Sequence, residues 1–172
     1  MSRTLGPSPE EPAGPVLRPP SLLALPSYLA GHAARIGHDV LVEAVGREDL
    51  RLPHFAVLTA LADFGPLPQH VLADRCGFQR SHLGRYLDTV EERALVRRAR
   101  DRADRRRQVV ELTEEGLSLQ RRLREGVERG QDSFLEGLTE QERRTLTRLL
   151  RRLLDADDLA RAARAGARGG AG

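Results

Sequence analysis

The chain contains no Trp and only 3% aromatic residues, so a core drawn from its 172 residues has to be built from Leu, Val and Ala. Straight-chain aliphatics and Ala lose little conformational freedom on entering a helix, which favours a helical fold over a β-sandwich. There is one Cys, Cys76, and hence no intramolecular disulfide framework. No run of about 18 apolar residues occurs, so no membrane-spanning helix is expected. The N-terminus lacks a basic start leading into an apolar stretch; no signal peptide is visible, and a cytoplasmic location is the expectation. Lys is absent altogether, all 28 basic residues being Arg. Guanidinium suits phosphate and base recognition, but a compositional bias of the genome gives the same total, and composition alone does not choose. No nucleophile elbow, phosphate loop or metalloprotease pattern is present. Ser81 and His82 make no catalytic dyad, because neighbours on a helix do not face each other. Neither an enzyme nor a cofactor is expected.

What is present is unevenly placed. Of the ten prolines, seven fall within residues 1–26, and that segment is expected to be a disordered tail. Residues 161–172, rich in Gly and Ala, are expected to be a second one. Between them lies a single expected domain, 27–160. Residues 75–107 carry 11 Arg against five acids, a local net of +6 in a chain whose total is +3. A basic centre in a chain whose remaining residues sum to −3 is the footprint expected of a partner for a polyanion.

Periodicity fills in the elements. Leu29, Ala33, Ile36 and Val40 recur at helical spacing over 27–45. Pro53 opens a second helix, ended by Gly65-Pro66, and Pro68 a third, ended by Gly77. A fourth runs from about Gln79 to Arg93, followed by two β-prone stretches, Leu95–Ala99 and Gln108–Leu112, around an Arg-rich loop. Thr113 starts a long helix whose apolar stripe is Leu117, Leu123, Val127 and Phe134, weakened by Gly126, Gly130 and Gly137. Thr139-Glu140-Gln141-Glu142 is a capping box, and Leu146, Leu149, Leu150, Leu153 and Leu154 then form an apolar face.

Two short helices joined by a tight turn and followed by a hairpin make a winged helix-turn-helix, whose second helix enters the major groove of DNA. The turn is Cys76-Gly77-Phe78, and Leu83, Leu87 and Val90 face the core. Gln79, a weak cap, starts the recognition helix, and with Arg80, Ser81, His82 and Arg85 it is left to contact DNA. An Arg reads guanine through two hydrogen bonds, discriminating by about 1–3 kcal/mol.

At these residues the chain resembles the MarR (multiple antibiotic resistance regulator) family over roughly 27–155. GPLPQHVLADRCGFQRSHLGRYLDTVEERALVRR is similar to the family's paired helices running into the first wing strand, and LPHFAVLTAL to the helix before them. DRADRRRQVVELTEEG is similar to its wing signature, with Asp104-Arg105-Arg106 ahead of Leu112-Thr113 and Gly116. The resemblance implies a mainly α fold (α+β with a small sheet): a winged helix-turn-helix over about 53–113, carried on dimerisation helices over about 27–45 and 114–160. It implies that Arg106 enters the minor groove, that Asp104 holds the wing in shape and that Arg105 touches phosphate. Narrow minor grooves attract Arg through their enhanced negative potential. It further implies a homodimer on a palindromic promoter site, usually a repressor, released by a small, often phenolic ligand. Three departures stand out: Ala94 where the family usually has Gly, Gln79 where Ser or Thr often caps, and Pro68 in place of Ser or Thr, expected at the first helical position.

Tyr28, His32 and Arg35 share a helix face and, with His54 and Phe55, are candidates to line an effector pocket. Cys76 fills an apolar position of a short helix, where a small hydrophobe packs well. The His residues show no tight metal-ligand spacing. A metal- or thiol-responsive variant of the same regulator stays open, as does a winged helix that docks protein, although so many like charges argue against the latter. Arg121-Arg122 and Arg151-Arg152 are expected to be solvated helix faces.

Overall fold

The structure, a computed structural model, describes residues 18–101, 104 and 106–169, with 161–169 by backbone alone. The chain divides into two compact units, Met1–Ile36 and Gly37–Gly172, where the sequence leads one to expect a single domain over 27–160. In the first unit, α1 (Pro20–Leu23) is followed by the start of α2 (Pro26–Gly46). The expectation of a disordered tail over 1–26 is thereby corrected for its described part. Proline is tolerated in the first turn, where its missing N–H has no partner to lose. Residues 1–17 of that expectation lie outside the described residues.

The second unit holds the core. The other half of α2 ends in it, with Val45 fully buried. Then come α3 (Leu52–Phe64), α4 (Gln69–Cys76) and α5 (Arg80–Glu92). The antiparallel strands β1 (Val96–Arg100) and β2 (Gln108–Leu112) follow, and finally α6 (Glu114–Phe134) and α7 (Glu140–Gly169). Val96 stands opposite Leu112 and Arg100 opposite Gln108. Leu67 adds a bridge to Val110, with N–H···O distances of 2.8 and 3.0 Å. Leu58, Leu72, Leu83, Leu87, Leu119 and Leu123 are fully buried in one cluster, each worth about 2 kcal/mol of apolar burial. No described helix is long and apolar enough to cross a membrane.

Boundaries shift for identifiable reasons. β1 begins at Val96 rather than Leu95, because the Leu95 N–H is taken by Val90 O in the turn that ends α5. Pro68 is the N-cap of α4, with ψ 145°, and not its first helical residue. Gly126 and Gly130 do not interrupt α6. A Cβ on Gly130 would lie 2.6 Å from Val40 Cγ1, so this glycine lets α2 approach α6. The backbone of α7 stays helical to Gly169, against the disordered tail expected over 161–172, of which 170–172 lie outside the described residues; the Ala and Arg of 161–169 are good helix formers. At its other end α7 opens with the expected box, Thr139 N–H donating to Glu142 Oε2 at 2.8 Å.

Candidate nucleic-acid interface

The turn between α4 and α5 depends on Gly77, which closes α4 in the left-handed region at φ 68°. The Gly77 N–H donates to Asp74 O and the Phe78 N–H to Ala73 O. Gln79 then takes an extended conformation, and its side chain makes no capping bond. The N–H groups of the first turn of α5 are therefore left without a side-chain cap. That suits an anion, which the helix dipole favours at this end. Leu83, Leu87 and Val90 are buried, while Gln79, Arg80, Ser81, His82 and Arg85 are exposed together on the opposite faces. Burial of one stripe thus presents the five residues singled out from sequence.

The wing tip is held by Asp104. Its Oδ1 accepts the Arg106 N–H at 3.0 Å, its Oδ2 lies 3.4 Å from Arg107 Nε, and its carbonyl accepts the Arg107 N–H at 2.9 Å. The Asp101 N–H donates to Arg107 O at 2.9 Å, closing the loop onto the strands. Arg106 projects exposed from this turn. Arg105 lies outside the described residues.

A cleft of about 710 Å³ runs between the helix pair and the wing, lined among others by Gln69, His70, Arg80, Arg98, Arg107 and Gln108. Of these, sequence reasoning singled out Arg80 alone. Arg98 was missed although it makes a prominent link: its guanidinium pairs with Asp88 Oδ1 at 3.2 Å and with Glu91. The signal that could have found it is the acid pair three residues apart on α5, with an unexplained Arg on the next strand.

A second recess, about 450 Å³, is lined by Asp49, Arg51, His54, Arg85, Tyr86 and Thr89. His54 is buried, and its Nδ1 accepts the Arg51 N–H at 3.1 Å, capping α3. Its ring meets Tyr86 edge-on with centroids 5.9 Å apart. Burial, then Arg51 and Arg93, pull its pKa below 6.5. Phe55 does not line this recess but packs against the core. Tyr28, His32 and Arg35 belong to the first unit, where the rings of Tyr28 and His32 meet at a tilt with centroids 4.3 Å apart. Cys76 is half-buried, its Sγ 3.7 Å from Ala56 O, and burial pushes its thiol up to about 11. Such a thiol stays protonated at neutral pH, which counts against the thiol-responsive alternative. Among the described residues no group of three His, Cys, Asp or Glu is placed to hold a metal ion.

Comparison with known proteins decides the lineage. A family model described as the MarR family matches residues 48–107, the stretch from the end of α2 to the wing tip. The transcriptional regulator HosA of Escherichia coli O111:H- is 32% identical over 128 residues, covering 73% of this chain and 87% of HosA. The chain belongs to the MarR family. The HTH-type transcriptional repressor NicR of Pseudomonas putida is 30% identical over 104 residues, 60% of this chain and 66% of NicR. The crystal structure of the PcaV transcriptional regulator from Streptomyces coelicolor, in complex with its natural ligand, superposes with a TM-score of 0.66 at 32% identity, covering 79% of this chain and 96% of PcaV. The protein is a transcriptional regulator of the MarR family, and its helices and two-stranded wing are the MarR winged helix.

Proposed function

We propose that the protein binds duplex DNA as a homodimer at a palindromic promoter site and represses transcription from it. The observation that carries this reading is the pairing of an exposed cationic helix start with a wing tip braced by Asp104. Arg80, Ser81, His82 and Arg85 read the major groove, and Arg106 enters the minor groove. Arg105 contacts phosphate. Support for the dimer comes from α7, whose Leu149, Leu150, Leu153 and Leu154 form an exposed apolar stripe that a second copy would cover. The name of NicR supports repression. A small aromatic ligand releases the DNA; the ligand complex of PcaV supports an effector. Tyr28, His32 and Arg35 of the first unit and, separately, His54 and Phe55 of the second are the residues whose substitution tests that response.

Arg106→Ala is expected to weaken binding to duplex DNA by about tenfold or more and to lower the salt slope by about 2, one contact from each copy, with the thermal midpoint unchanged. Equal affinity of mutant and wild type in a gel-shift titration would defeat the wing assignment.

A further inference from the structure

We propose that Arg98 is a positioning residue for DNA binding: by bridging Asp88 and Glu91 of the recognition helix to the first wing strand, it fixes the angle between the two elements that enter adjacent grooves. The proposal rests on the DNA-binding reading above.

The covalent link between α5 and β1 is a short turn, Arg93-Ala94-Leu95, with Ala94 in the left-handed region. Val90 and Val96 pack in the core on either side of this turn, and a tie further along both elements fixes the angle between them. Arg98 stands two residues beyond buried Val96 and therefore on the same face of the strand. Asp88 and Glu91 are three apart and so neighbours on one face of α5. One planar guanidinium spans both carboxylates, using Nη2 toward Asp88 at 3.2 Å and Nη1 toward Glu91. The tie is therefore made well along both elements, away from the turn. On the strand's own register Arg98 stands opposite Val110, which Leu67 also bridges, so the guanidinium links α5 to the anchored part of the hairpin and not to its tip.

Magnitudes separate geometry from stability. All three side chains are part-exposed, and exposed ion pairs contribute little to folding. Two carboxylates on a helix aimed at phosphates are also an electrostatic cost to DNA binding. If Arg98 simply contacted phosphate, removing its acidic partners would free it and remove repulsion, and affinity would rise. As a positioning residue it needs those partners, and affinity for the specific site falls when they go. The two roles predict opposite signs.

The test uses the full chain and a duplex selected from a random pool by the wild-type protein, with a scrambled duplex of equal length as control. Arg98→Gln and the double variant Asp88→Asn/Glu91→Gln are each expected to bind the selected duplex about three- to tenfold more weakly, with thermal midpoints near wild type. The triple variant is expected to be no worse than either, because all three changes remove one link. Binding of Asp88→Asn/Glu91→Gln to the scrambled duplex is expected to be unchanged or stronger, so that the loss is one of specificity. Arg98→Lys, which cannot span both acids, is expected to recover only part of the affinity. Tight or tighter binding of the selected duplex by Asp88→Asn/Glu91→Gln overturns the proposal, as does additivity in the triple variant. Failure of the wild type to select any duplex overturns the DNA-binding reading and this proposal with it.

Discussion

Ala94 shows most plainly what one residue does. The Ala94 N–H donates to Glu91 O at 2.8 Å and the Leu95 N–H to Val90 O at 2.9 Å, a Schellman closure of α5. That closure requires the left-handed region, and Ala94 sits there at φ 53°. A side chain in this region costs about 1–2 kcal/mol, and glycine gives back part of the gain through its freer unfolded chain. Ala94→Gly is expected to stabilise the protein by about 1 kcal/mol, read as a rise in the urea midpoint at constant slope; a fall would show the strain account wrong. His54 is the second case. It caps α3 in its neutral form, and Arg51, Arg85, Asp49, Tyr86 and Arg93 surround it from α3, its preceding loop and α5. Its pKa is lowered on folding, so the unfolded chain takes up a proton more readily. Stability from this group is present above about 6.5 and lost as pH falls below it. His54→Gln keeps an acceptor at the same capping position. Wild type is therefore expected to lose thermal midpoint faster than His54→Gln between pH 6.5 and 5, and parallel curves would refute the coupling.

At the scale of elements, the junction of wing and α6 is the least tolerant place. Thr113 Oγ1 donates to Ala94 O at 2.7 Å and accepts the Gly116 N–H at 2.9 Å, so one hydroxyl joins the end of α5 to the start of α6. A Cβ on Gly116 would fall 1.9 Å from Leu95 O. Gly116→Ala is expected to cost about 3 kcal/mol in chemical denaturation, since backbone and not a flexible side chain must move; a near-neutral result would mean that the approach of α6 to Leu95, in the turn before β1, is looser than described. Elements whose information is local were legible in the sequence: the capping box at Thr139, Gly77 after α4, and the stripe Leu83, Leu87, Val90 that exposes Arg80 to Arg85. The wing was legible through its signature, and Ala94 and Gly116 were both noted in the residue pattern that surrounds it. What escaped is tertiary. Arg98 gains its meaning only when β1 lies across Asp88 and Glu91, and Gly130, read as a weakness of α6, is where Val40 packs. Past residue 160 the glycines hid the helix propensity of the Ala and Arg that carry α7 on to Gly169, and no local pattern says that the chain divides at Ile36.

For the molecule as a whole, the total charge of +3 understates its electrostatics. The densest positive charge, a net of +6, lies between Arg75 and Arg107, where the recognition helix and wing lie, whereas the rest of the chain sums to −3 and the terminal helices carry exposed leucines. That separation suits a regulator that grips a polyanion with one part and a second copy of itself with another. It also gives the most direct test. Binding of a duplex to phosphates displaces condensed counterions, and a dimer covering about 6–10 phosphates loses about 10³–10⁵-fold in affinity between 50 and 200 mM salt. Titration of the selected duplex across that range, by fluorescence anisotropy, is predicted to give a straight, steep line of log affinity against log salt. A flat line, or no binding at the lowest salt, would contradict the assignment of this face to DNA.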